Sequence, residues 1–144
     1  MDSVKFEVEL RKEFGKNKVK KLKREGVIPG TVYGKDMEPI SITVKPKDLL
    51  RLYKGKFGKN TIIDLTVNNE GKAETVKVIS YEFEVDHIKQ TLEHISFIKV
   101  NEKVLLTIEV PVSLKGTAPG VKLGGNFYQK FNYLRLNCLP QDIP

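Results

Sequence analysis

The sequence predicts a mainly β protein: a small antiparallel β-barrel or a β-rich α+β domain, with two short helices and the start of a second β-rich unit. Several short runs alternate apolar and polar residues, which is typical of strands with one buried face. Two other segments have helical spacing, and turn-forming residues separate the runs. With 144 residues, 40% of them hydrophobic and 30% charged, the chain suffices for one domain or a small domain with an appendage.

The first predicted elements are a strand, a strongly basic helix and a second strand. VKFEVEL alternates apolar and charged residues up to position 10, as a strand with one solvated face does. In GKNKVKKLKREG, Val19 and Leu22 lie three residues apart, basic residues fill most other positions, and Gly26 stands where a helix C-cap is expected. VIPGTVYG predicts a second strand that is interrupted at Pro29 and Gly30.

The middle of the chain predicts a helix between strands, then a hairpin. PISITV alternates like a strand, and PKDLLRLYK predicts a helix with Pro46 in its first turn and Leu49, Leu50 and Tyr53 facing the core. TIIDLTV and AETVKVIS flank NNEG, which is a hairpin signal. TLEHISFIKV alternates again, and we expect the first body to close near residue 99.

Residues 100–144 predict a second β-rich domain after a first domain at 1–99. KVLLTIEVPVSL predicts a long strand, KGTAPGVKLGG a loop, and NFYQKFNYLRLNCL a strand or a pair of strands. About 45 residues cannot bury much core alone. This unit must therefore pack on the first domain, pack on a partner, or be a fragment of a longer domain.

One stretch, residues 11–24, carries the whole net charge of the protein. This basic stretch, RKEFGKNKVKKLKR, holds eight basic residues and one acidic residue. The full chain has 25 basic and 18 acidic residues and a net charge of +7, so the remainder is balanced with 17 of each sign. Charge segregated in this way indicates a polyanionic partner.

Nucleic acid fits the basic stretch better than a membrane surface does. A membrane-surface helix needs a large apolar face, and this helix offers only Val19 and Leu22. No apolar run approaches the ~20 residues that span a bilayer. We therefore expect contacts to phosphates along the stretch, from Arg11, Lys16, Lys18, Lys20, Lys21, Lys23 and Arg24.

The sequence offers little support for an enzyme or a metal site. Two histidines seven residues apart and one distant cysteine, Cys138, do not supply a ligand set. The carboxylates of EFEVD are spaced as an outward strand row, and a solvated face explains them better than paired catalytic acids. GTAPGVKLGG lacks the Gly-Lys-Ser/Thr ending of a phosphate-binding loop. We expect no catalysis, cofactor, metal or small-molecule substrate.

The pattern favours RNA over DNA as the partner. No helix-turn-helix, zinc finger or long basic helix is indicated, whereas a β-rich scaffold with lysines, Tyr33 and His94 suits RNA. If Ile95 and Phe97 face the core, the alternation turns His94 and Ser96 outward together. These two outward residues could meet a groove edge or stand idle on the surface.

The segment RKEFGKNKVKKLKREGVIPGTVYGK resembles the start of the bacterial large-subunit ribosomal protein number twenty-five family, also called the general stress protein CTC family. The shared pattern is an Arg-Lys pair, Gly-Lys, a basic helix, Gly-x-x-Pro and Tyr-Gly. HISF stands where the family has His-x-Asp-Phe. VPVSLKGTAPGVKLGGNF and CLPQDIP resemble the second domain of the long form, which continues further, so we expect a short or truncated second domain.

The resemblance implies a six-stranded β-barrel that binds 5S rRNA in its loop E region, on the ribosome and without a membrane. Neighbouring large-subunit proteins and rRNA are then further partners. One cysteine and the absence of a signal-peptide pattern in MDSVKFEVEL fit a cytoplasmic location. By position, the RNA contacts carried over from the family are Arg11, Lys16, Lys20, Lys21, Lys23, Tyr33, Glu84, His94 and Ser96.

Four of those positions depart from the family pattern. Lys20 and Lys21 stand where arginine is usual, which keeps the charge but loses the bidentate fork. Glu84 replaces a glutamine and Ser96 an aspartate. Glu84 and Ser96 keep one alternative open: a stress-induced protein of the same fold that acts mainly through protein contacts.

Overall fold

The computed structural model describes residues 3–12 and 15–144. Within these ranges the chain forms eight strands, β1 to β8, at Ser3–Leu10, Ile28–Gly34, Met37–Val44, Ile62–Asn69, Lys72–Asp86, Thr91–Lys99, Leu106–Pro111 and Tyr133–Cys138. Three helices, α1 to α3, lie at Lys16–Arg24, Pro46–Leu52 and Pro119–Lys122. None of the helices in the described ranges is long and apolar enough to cross a membrane.

Strands β1 to β6 close into a barrel in the order β1-β3-β2-β6-β5-β4. The predicted mainly β fold and its six-stranded barrel are therefore confirmed. The barrel is not purely antiparallel, however, because β1 pairs with β4 and β2 pairs with β6 in parallel. Sequence alternation shows which face of a strand is buried but carries no information about the direction of its neighbours.

The interior of the barrel is filled by alternate residues of every strand and closed by α2. Phe97, Ile42 and Leu49 are among its largest fully buried side chains. Leu50, which we expected in the core, is 55% exposed instead. Adjacent positions on a helix point about 100° apart, so a short helix that buries Leu49 turns Leu50 away from the barrel.

Strand β2 runs unbroken through Pro29 and Gly30, so the predicted interruption is wrong. Pro29 pairs with Thr43 on β3 and comes before the pairing of β2 with β6, which starts at Gly30. A Cβ added at Gly30 would lie 3.1 Å from the carbonyl oxygen of Ile95. The glycine allows a close approach of two strands rather than ending one.

The β4–β5 hairpin is confirmed with a two-residue turn. Asn69 pairs with Lys72, and between them Glu70 and Gly71 have φ angles of 45° and 87°. Two successive positive φ angles are typical of a type I′ turn, which matches the twist of the flanking strands. The Asn/Gly signal in the sequence therefore identified this turn correctly.

Strands β7 and β8 form a separate two-stranded antiparallel sheet. β7 has six residues and is shorter than the long strand we expected, and α3 forms inside the segment that we expected to be a loop. A second apolar cluster of Ile79, Val100 and Ile108 packs this sheet on the outside of β5. The division into domains 1–99 and 100–144 stays a prediction.

Candidate nucleic-acid interface

Helix α1 presents its cations to solvent and touches the barrel through two apolar residues. Val19 and Leu22 are half-buried, and the other residues of the helix are exposed. At its end Gly26 has a φ of 76° and donates its N–H to the Lys23 oxygen at 3.1 Å, while the Val27 N–H reaches the Leu22 oxygen at 3.0 Å. This pair of bonds is a Schellman cap. The predicted basic helix and its glycine cap are confirmed.

The cations of α1 point in more than one direction. Lys16, Lys20 and Arg24 follow one another at four-residue spacing and share an exposed face. Lys18 and Lys21 instead line a shallow cleft between the helix and the end of β1. The α1 cations therefore cover a broad surface rather than a single line.

The shallow cleft extends the positive surface onto β1. Arg11 and Lys12 line it opposite Lys18 and Lys21, together with two acidic residues, Glu9 and Glu25. Arg11 is held in place by its backbone N–H, which donates to the Ser41 oxygen at 2.9 Å. Lys12 forms an ion pair with Glu70 and lowers the pKa of that carboxyl from its usual value. Residues 13 and 14 of the basic stretch lie outside the described residues.

Lys23 joins α1 to strand β6. Its ammonium group forms an ion pair with Glu93. In the β5–β6 register Glu84 pairs with His94 and Val85 with Leu92, so Glu93 is the extra residue of a bulge. The pair links the C-terminal end of α1 to the residue that precedes His94 on β6 and partly compensates the charge of Lys23.

His94 lies half-buried on the outer face of the barrel. Ile95 and Phe97 are completely buried, which confirms the predicted strand phase. The imidazole Nε2 of His94 is 3.3 Å from the Thr31 hydroxyl, and Glu84 lies directly across from His94 on β5. Thr31 was missed by the sequence analysis, although it lies two residues before Tyr33 on β2 and therefore on the same face.

Tyr33 is exposed close to this group, whereas Ser96 is not. Ser96 is only 5% exposed, so the expectation that it stands on the surface beside His94 is wrong. It lies in register with Thr31 on one side and Glu82 on the other. A short side chain in the middle of three paired strands is shielded by longer neighbours, so an outward direction does not guarantee exposure.

Comparison with known proteins identifies the family. The sequence model of the Ribosomal L25p family matches residues 6–97, well over half of the chain. The chain belongs to this family. The model described as ribosomal protein TL5, C-terminal domain, matches residues 105–144. The family resemblance drawn from the sequence is confirmed.

Relatives of similar sequence are named large ribosomal subunit protein bL25. The chain is 34% identical to the one from Halothermothrix orenii, 35% to that of Pelobacter propionicus and 36% to that of Geotalea daltonii. These alignments cover the whole chain and 64%, 71% and 72% of the respective relatives. The chain thus spans less than two thirds of the Halothermothrix protein and somewhat more of the other two.

Within residues 3–12 and 15–144, no group of three His, Cys, Asp or Glu side chains is placed to hold a metal ion. Cys138 is half-buried in the second apolar cluster, where it packs as a small apolar side chain.

Proposed function

We propose that this chain binds 5S rRNA, in its loop E region, as a structural component of the large ribosomal subunit. The observation that carries the proposal is the continuity of two surfaces. The Lys23–Glu93 ion pair links the cationic helix α1 to strand β6 at the residue that precedes His94. Membership of the Ribosomal L25p family supports RNA as the polyanion.

Helix α1 and the end of β1 supply phosphate contacts. The cations of α1 are exposed and point in several directions, Arg11 at the end of β1 is half-buried, and two half-buried apolar residues hold the helix in place. Lysine ammonium groups contact phosphate oxygens as point charges and release condensed counterions on binding. Such contacts position the protein on RNA and carry little sequence information.

The surface around His94 supplies selectivity. The Thr31 hydroxyl engages Nε2 of the imidazole, which leaves Nδ1 for a partner in either tautomer. Glu84 lies across from it, and a carboxylate repels phosphates but accepts hydrogen bonds from base amino groups. RNA backbone would therefore lie along α1, and base edges or 2′-hydroxyls would face His94 and Glu84, with Tyr33 at the margin.

The barrel, within residues 1–99, carries this binding in the proposal, and residues 100–144 contact other parts of the subunit. Neighbouring ribosomal proteins and rRNA are the partners that a large-subunit location implies. Ser96 is only 5% exposed and offers little surface to RNA, so it is not among the contacts of this proposal. A full chain that shows no preference for 5S rRNA would favour the alternative, a protein acting mainly through protein contacts.

The test measures binding of the full chain to a 5S rRNA fragment containing loop E and to an unrelated hairpin, over a range of salt concentrations. We expect tighter binding to the 5S fragment. Lys20→Ala with Lys21→Ala should weaken binding to both RNAs and reduce the salt slope by about one unit or slightly less per lysine. Lys103→Ala with Lys115→Ala, exposed lysines outside the barrel, is the charge-matched control. An unchanged slope in the first variant would contradict phosphate contacts by α1.

A further inference from the structure

The outside of the barrel has an apolar surface that RNA binding does not explain. Leu50 on α2 is 55% exposed, and Ile88, between β5 and β6, is 95% exposed. Val85 is also exposed and lies opposite Leu92 in the β5–β6 register. Three large aliphatic side chains therefore face solvent near one end of the barrel, where burial against a partner would be favourable.

A cleft of about 480 Å³ lies beside this surface, between the end of α1, the start of α2 and the β5–β6 hairpin. Leu50 lines it together with Val27, Ile28 and Leu92. Its volume is within the range of about 300–1,000 Å³ that is usual for small-ligand pockets. The cleft therefore has room for one or two side chains of a partner.

Lysines form the rim of this cleft. Lys23, Lys47 and Lys89 line it, and Glu93 is the single acidic residue of the lining, all of which is described. Glu93 is paired with Lys23. The remaining two lysines, Lys47 and Lys89, give the rim a positive potential that complements an acidic partner.

The hairpin at the edge of the cleft is held in a defined turn. Oδ1 of Asp86 accepts the backbone N–H of Ile88 at 2.9 Å and that of Lys89 at 3.2 Å, and these bonds lower the pKa of the Asp86 carboxyl. An aspartate that bonds its own turn in this way rigidifies it. Ile88 and Lys89 are thus presented from a formed turn, which reduces the entropy that binding would cost.

We propose that this cleft docks an acidic segment of a neighbouring protein. The segment inserts one or two apolar side chains against Leu50 and Leu92, and its carboxylates pair with Lys47 and Lys89. RNA fits less well because the lining, all of it described, contains no aromatic residue and no arginine on which a base could stack. Of the proposed RNA contacts only Lys23 belongs to the cleft, so both partners could bind at once.

Selection of random twelve-residue peptides displayed on phage tests the proposal against the full chain. The counter-selection uses a variant carrying Leu50→Ser, Lys47→Glu and Lys89→Glu. We expect enriched peptides with aliphatic or aromatic residues flanked by Asp and Glu. As free peptides, measured by fluorescence anisotropy, they should bind the variant at least tenfold more weakly than the wild type.

The control carries Lys103→Glu, Lys115→Glu and Leu123→Ser. These are the same types of substitution as in the cleft variant, made at exposed positions outside the barrel. It should bind the peptides within about twofold of the wild type, and the cleft variant should keep its affinity for the 5S fragment within about fivefold of this control. No enrichment, peptides without an acidic excess, or equal binding to the cleft variant would overturn the proposal. Displacement of the peptides by a short single-stranded RNA would favour RNA as the occupant instead.

Discussion

At the scale of single residues, we expect His94 to decide the selectivity of the proposed interface. Its imidazole is half-buried and held by Thr31, so a bound RNA group would meet a fixed partner. We expect His94→Ala to weaken binding to the 5S fragment by about 1–3 kcal/mol, roughly 5- to 150-fold, the usual range for a buried group left without its partner. Binding to an unrelated hairpin should change much less. His87→Ala, an exposed histidine on the hairpin, is the matched control, and equal losses for both RNAs would remove His94 from the interface.

Tyr53 connects α2 with β5, and its ionisation makes stability depend on pH. Burial raises the pKa of Tyr53 to about 12, and its hydroxyl is hydrogen-bonded to Ser80. In the unfolded chain a tyrosine ionises near pH 10, so the unfolded state loses this proton first and stability falls as pH rises from about 10 to 12.

We predict that Tyr53→Phe removes this part of the pH dependence, about 3 kcal/mol in total. At neutral pH the variant should be less stable by about 1 kcal/mol, because Ser80 loses its hydrogen-bond partner. Urea unfolding of both proteins between pH 7 and 11.5 measures the effect. Parallel pH profiles of the two proteins would show that Tyr53 does not titrate as described.

The sequence predicted the directions of side chains better than their exposure. The phase of β6 followed from Ile95 and Phe97, and both are fully buried. Ser96 shares the outward phase but is covered, because exposure also depends on the neighbouring strands. Thr31 became a partner of His94 only through the pairing of β2 with β6, which no local pattern encodes.

At the scale of elements, α1 depends on its C-terminal cap. Gly26 has a φ of 76°, and a Cβ placed there would meet nothing within 4 Å. Gly26→Ala should therefore act through backbone strain alone, destabilise the protein by about 1 kcal/mol and fray the last turn of α1. Affinity for both RNAs should fall a fewfold, because the cations of that turn lose their positions.

Gly120→Ala is the control for this cap, since Gly120 also has open space around it but no positive φ. It should change stability by less than about 0.5 kcal/mol. Urea unfolding and RNA titration of both variants provide the measurement. Equal stability of the Gly26 and Gly120 variants would show that α1 is not held by its cap.

Elements with strong local signals were predictable, whereas their pairings were not. The basic helix and the β4–β5 hairpin follow from a glycine cap and an Asn/Gly turn. The prediction of an interruption in β2 was wrong because Pro29 and Gly30 lie within a tightly packed strand rather than in a turn. Strand directions and the closing β1–β4 pair depend on contacts distant in sequence.

At the scale of the whole molecule, the cations of α1 and the second sheet belong to different parts of the protein. The α1 cations belong to the barrel, while β7 and β8 are attached to it through an apolar contact on the outside of β5. A hydrogen bond strengthens this contact: the side-chain amide of Asn60 donates to the backbone carbonyl oxygen of Glu109 at 2.9 Å. The barrel should therefore bind RNA whether or not the second sheet is firmly docked.

Ile108→Ala tests this separation in the intact chain. Ile108 is 7% exposed and packs with Ile79 and Val100, so its truncation should weaken docking of the second sheet by about 2–4 kcal/mol. Hydrogen exchange should quicken in β7 and β8 and stay nearly unchanged in β6, because a sheet that opens by itself does not unfold the barrel. Affinity for the 5S fragment should remain within about threefold of the wild type.

Leu123→Ala, a change at an 88% exposed position, should alter neither exchange nor affinity. Faster exchange throughout the barrel would mean that the two units unfold together. A loss of RNA affinity with an intact barrel would mean that the second sheet supplies RNA contacts of its own.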